Sequence, residues 1–260
     1  MLLRQEQLSR ALARIFPHGP LDVVRQVALF AAVYYAYRLT RGAIDDPQGA
    51  IVAFENARLL ISIERGTGLF FEQTVQAWTQ GWQLAADVAS WIYINAQTTV
   101  VLGALIFIYL FHNERFYFVR NMMMVAMGLA LVGYVAFPTA PPRFFPEWGF
   151  QDVVSEFTGV AQTDVKVNAL FNPYAAVPSM HCCNAILLGW SLSQMCRMRI
   201  ARILWGLYPL VMFWVVVSTG NHWTLDALLG GVTAALSYYA ARRLARARPS
   251  VWAFTPARTA

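Results

Sequence analysis

The 260-residue sequence predicts an all-α, polytopic membrane protein: a bundle of six transmembrane helices with interfacial amphipathic helices on the outer side. Three observations predict it. Hydrophobic residues make up 58% of the chain and charged residues 13%, which is not the makeup of a soluble globule. Several apolar stretches reach the roughly 17–25 residues that a helix needs to cross a hydrocarbon core about 30 Å thick. The arginines gather in the connections that six spans would leave on one side.

Taken in order, residues 1–20 form a cytoplasmic N-terminal segment in which Arg4, Glu6, Arg10 and Arg14 interrupt any apolar run, so no cleaved signal peptide is expected. Residues 21–245 form the membrane domain, with spans at 23–39, 88–111, 121–137, 180–196, 203–219 and 223–241; the second has no charged residue at all. Residues 246–260 are a basic cytoplasmic tail. Arg4, Arg10 and Arg14, then Arg115 and Arg120, then Arg197, Arg199 and Arg202, then Arg242, Arg243, Arg246 and Arg248 all fall on the side of the termini. That side is expected to be cytoplasmic and the protein integral to the plasma (cytoplasmic) membrane. The net charge of +6 thus reads as topology, with no nucleic-acid partner implied. The three cysteines, Cys182, Cys183 and Cys196, share one apolar span, and adjacent thiols are poorly placed for a structural disulfide.

Two outer connections, 41–83 and 138–178, are far longer than turns. In the first, Ile51, Phe54, Ile61, Phe70, Phe71, Val75 and Trp78 recur at near-helical intervals among Glu55, Arg58, Arg65 and Glu72. Such a pattern fits helices lying in the membrane interface, or equally a solvated pair bracing the bundle. The second opens on Pro-Thr-Ala-Pro-Pro-Arg at 138–143, where the prolines forbid a continuous helix.

The chemistry-bearing residues cluster at the outer side. His181 and His222 stand at the N-terminal ends of two predicted spans, and a helix N-terminus favours anions such as phosphate. Ser179 either caps its helix or donates its hydroxyl to a phosphate oxygen. His222 and Asp226 are four apart and so share a helix face, where the carboxylate can fix the tautomer of a nucleophilic imidazole. The alternatives are a buried structural pair or a zinc site, though no further ligand stands at a matching depth. Arg143 can clamp two phosphate oxygens; Asn221 stands beside His222, and Lys166 adds a second charge or simply meets lipid headgroups.

These residues resemble the type 2 phosphatidic acid phosphatase (PAP2) superfamily, and more closely its branch related to inositol phosphorylceramide synthase and inositolphosphotransferases. The likeness rests on Ala-Pro-Pro-Arg at 140–143, Asn-Pro-Tyr-Ala-Ala-Val-Pro-Ser-Met-His at 172–181 and Thr-Gly-Asn-His-Trp-Thr-Leu-Asp at 219–226, with Asn-Ala-Arg at 56–58. It implies a six-helix bundle in which His222 attacks phosphorus, Asp226 orients it and His181 protonates the leaving alcohol, with no metal or other cofactor. The phosphohistidine is then opened by water or by an alcohol such as inositol. Two departures stand out: where the superfamily usually has a lysine seven residues before the arginine, and a Ser-Arg pair before the second histidine, this chain has Ala136 and Val215-Val216. The expected partner is a lipid phosphate or phospholipid, and the expected activity a lipid phosphatase or phosphotransferase with an outward-facing site. A non-catalytic lipid binder or transporter would use the same polar pocket.

Overall fold

The computed structural model describes residues 15–16, 18–43, 47–160 and 172–247. Lys166, the basic tail beyond 247 and most of segment 1–20 lie outside them. The elements in order are α1 (Pro20–Ala43), α2 (Pro47–Thr67), α3 (Glu72–Gln80), α4 (Gln83–Asn95), a π-helical turn (Ala96–Val100), α5 (Val101–Phe111) and α6 (Asn113–Ala136). Two single 3₁₀ turns (Pro142–Phe144, Pro146–Trp148) and the short α7 (Val153–Thr158) follow. Then come α8 (Met180–Met195), α9 (Arg199–Ser218) and α10 (Thr224–Ala247). No strand is present among the described residues beyond an isolated bridge between Thr139 and Ala175.

Three continuous helices among the described residues are long and apolar enough to cross a membrane: Gln83–Phe111, Asn113–Ala136 and Arg199–Ser218. They correspond to the second, third and fifth of the expected spans. The other three expected spans are also helices, but of different character. α1 carries Asp22, Arg25, Arg38 and Arg41, α8 is 16 residues long, and α10 has Asp226 in its first turn and ends among arginines.

α8 is the hub. It is buried on nearly every side, through Cys183, Ala185, Leu187, Leu188 and Leu192, and packs against α6, α9 and α10. A helix apolar all round belongs in an interior, and small residues let such helices approach closely. Pro209 leaves the Trp205 carbonyl of α9 without its usual helical donor, and Gly189 of α8 sits against that carbonyl: a Cβ there would lie 2.6 Å from it. Gly230 of α10 faces α8 in the same way. A Cβ at 230 would fall well inside contact distance of the Ser179 carbonyl and 3.3 Å from the Cys183 nitrogen.

α2 and α3 differ from a solvated pair in one respect. Ala53, Ala57, Leu60, Ile61 and Glu64 form the buried face of α2, whereas Ile51 and Trp78 are exposed. Glu64, in the last turns of α2, and Glu72, the first residue of α3, are fully buried. The segment 138–145 lies over this face, with Ala140 N–H donating to the Ala53 carbonyl (3.0 Å) and Asn56 Nδ2 to the Pro138 carbonyl (2.8 Å).

Candidate active site

Close packing of α8 on α10 brings the two histidines together. Ser179 caps α8, its hydroxyl oxygen accepting from Cys182 N–H (3.4 Å), while its own N–H donates to the Asp226 carbonyl (3.0 Å). The starts of the two helices are thus tied directly, and the ring centroids of His181 and His222 are 5.9 Å apart. Tyr93 of α4 stacks on His181 at 4.4 Å, fixing its plane. His222 Nδ1 lies 3.4 Å from Asp226 Oδ2, with Asp226 fully buried. In an imidazole whose Nδ1 faces a carboxylate, Nε2 lies on the far side of the ring, the position a nucleophilic nitrogen requires.

Gly220 sets the approach to His222. Its φ is +70°, a conformation that side chains rarely adopt, and a Cβ there would meet Gln76 Nε2 at 2.8 Å and the Gln151 carbonyl at 2.9 Å. The Gly220 carbonyl accepts from Arg143 N–H (2.9 Å). Nη1 of Arg143 donates to Oδ1 of Asn221, and its Nε lies 4.0 Å from Asp152 Oδ2. His181, His222, Arg143 and Asn221 all line one cavity of about 460 Å³. Ser179 and Asp226 do not line it; they sit behind it, engaged in capping. Among the described residues no three His, Cys, Asp or Glu side chains gather as a metal site would require.

One expectation is altered by the geometry. The first N–H groups of α10 are not open to a phosphate, because three carboxyl groups already accept from them. Trp223 N–H donates to Asp226 Oδ2 (3.0 Å), Thr224 N–H to Glu72 Oε1 (2.8 Å) and Leu225 N–H to Glu64 Oε1 (2.7 Å). Carboxyl oxygens at this end satisfy N–H groups that a helix start leaves without an internal partner. Neither glutamate stood out in the sequence as part of the site. The signal available was Glu64 itself, an acid falling at helical spacing on the apolar stripe of Ala53, Ala57 and Ile61. Tyr93 gave none, since an aromatic in a charge-free span reads as packing.

The family model described as the PAP2 superfamily matches residues 58–240, which includes Arg143, His181, Asn221, His222 and Asp226. The chain belongs to the PAP2 superfamily. No curated protein and no solved structure matches it. PAP2 membership points to phosphatase-type chemistry on a lipid phosphate in a membrane.

The glutamate pair gives this PAP2 site a pH signature. Burial, and then the neighbouring charge of Glu72, push the Glu64 carboxyl from its ordinary 4.5 up to about 9. The folded protein therefore holds a proton there that the unfolded chain releases above about pH 4.5. The sign follows: the contribution is full below that pH and is lost as pH rises through about 9. Thermal midpoints in detergent should fall across this window. Glu64→Gln, which stays neutral and keeps an oxygen for Leu225 N–H, should flatten the fall; an unchanged slope in that variant would assign it to another group.

Proposed function

We propose that this PAP2 protein is a lipid-phosphate phosphatase or phosphotransferase working through a phosphohistidine. His222 Nε2 attacks the phosphorus of a lipid phosphate or phosphodiester. The bond to the leaving oxygen breaks, and His181 supplies the proton that oxygen needs. Asp226 holds Nδ1 and stabilises the cationic ring of the intermediate. Arg143 and Asn221 bind the phosphoryl oxygens, with Ser179 keeping the start of α8 in place and Lys166 a further candidate cation. His181, now neutral, then removes a proton from the incoming water or alcohol, whose oxygen takes the phosphoryl group from His222. The bundle is read as six spans with cytoplasmic termini and the cavity facing outward from the plasma membrane.

One observation carries this reading. His181, His222 and Arg143 line a single cavity, and the Asp226 carboxylate lies against the far nitrogen of His222. In that arrangement the nucleophile, acid and cation all reach one bound group.

Product analysis tests it. Purified protein in lipid nanodiscs is given phosphatidic acid, a prenyl diphosphate or phosphatidylinositol, each with and without free inositol. Release of inorganic phosphate identifies water as acceptor, and a new inositol-bearing product identifies an alcohol. If none of these donors is consumed and no phosphoenzyme accumulates, the proposal fails.

A further inference from the structure

The cavity has a wall that the family match does not include. α1 ends well before residue 58, where that match begins, yet Tyr34, Tyr37 and Arg38 of α1 line the same cavity as His181, His222 and Arg143. The placement of α1 does not rest on the cavity alone. Tyr37 is buried, and its hydroxyl lies 3.3 Å from that of Tyr134 in α6. The Tyr134 hydroxyl in turn donates to the Pro178 carbonyl at 3.3 Å, one residue before the cap of α8. A hydrogen-bonded chain thus runs from α1 to the segment that carries His181. Arg38 is the residue next to Tyr37, and its Nη1 lies 3.3 Å from the Tyr34 hydroxyl.

Charge gives this wall its meaning. Ala136 and Val215-Val216 stand where the superfamily usually carries further cations, and Val215 and Val216 are fully buried in the apolar packing around α9. Among the described cavity-lining residues within the family match, Arg143 is the cation that would face a phosphomonoester carrying about −1.5 to −2 charges at neutral pH. A cavity of about 460 Å³ has room for more than one phosphoryl group. A second guanidinium in it matches a doubly charged head group better than a singly charged one.

We propose that Arg38 is a second phosphate-binding residue of this site, supplied by α1, and that it favours a terminal phosphate or diphosphate over a phosphodiester. The inference rests on the catalytic reading only for the location of the bound phosphate, so it is tested by binding, without turnover. His222→Gln protein in nanodiscs is titrated with phosphatidic acid and with phosphatidylinositol of the same acyl chains. Phosphatidic acid should bind at least about tenfold more tightly, the scale of one charge-assisted contact. Adding Arg38→Gln should bring the two affinities to within about twofold, mainly by weakening phosphatidic acid, while Arg38→Lys keeps most of the preference. Unchanged phosphatidylinositol binding shows that the variant is folded. Equal loss for both lipids, no loss for either, or no preference in the parent protein overturns the proposal. Absence of a phosphohistidine in the unsubstituted protein would instead overturn the catalytic reading, leaving these affinities to be judged separately.

Discussion

His222→Ala protein is expected to bind lipid phosphate, form no acid-labile phosphoenzyme, and turn over at least about a thousandfold more slowly than the parent chain. The size of the effect follows from the arrangement of the pair. Asp226 Oδ2 lies 3.4 Å from Nδ1 within a fully buried helix start, so on the proposed mechanism removing the ring takes away the nucleophile, while Asp226 keeps its hydrogen bond from Trp223 N–H. Rapid-quench labelling with a ³²P-labelled donor is the measurement. Labelled protein in the variant, or turnover within tenfold of the parent, would falsify the assignment of His222 as nucleophile.

The second large effect belongs to a glycine. Gly230→Ala places a methyl group against the Ser179 carbonyl, and neither atom lies on a flexible side chain. α8 and α10 must separate, at a cost on the order of 1–3 kcal/mol. Separation also moves His181 from His222, and a displacement of about 1 Å can reduce rate a hundredfold. The adjacent Gly231→Ala serves as the control, because its added methyl finds only Ile186 Cδ1 at an ordinary 3.5 Å. The expected result is a lower thermal midpoint and a roughly hundredfold lower kcat for the first variant, with little change in the second. Equal behaviour of the two would mean that the helix crossing does not set the histidine spacing.

Which parts of this architecture were legible beforehand depends on how local the information is. His222 and Asp226 could be paired from their spacing because four residues bring two side chains to one helix face. The charge-free run in α4 and α5 could be recognised for what it is because length and composition are local too. α8 was harder: its 16 residues are buried by neighbours, so its apolar character reports protein packing as much as lipid. Glu64 and Glu72 escaped notice for the opposite reason. Each meets α10 across more than 150 residues of chain, and side chains that accept from a distant backbone N–H leave no period to read. Arg38 gave no signal, because nothing local in the sequence shows that α1 walls the cavity.

The carboxylate clamp on α10 also bears on how the protein matures. Its acceptors, Glu64 and Glu72, leave the ribosome more than 150 residues ahead of its donors, Thr224 and Leu225. The hydrogen bond from Leu225 N–H to Glu64 closes a loop of 161 residues. Until that loop closes, both early carboxyl groups lack the backbone donors they hold in the finished protein, and the start of α10 lacks two of its acceptors. On the proposed mechanism, the His222 site is therefore complete only once α10 has docked against α2 and α3.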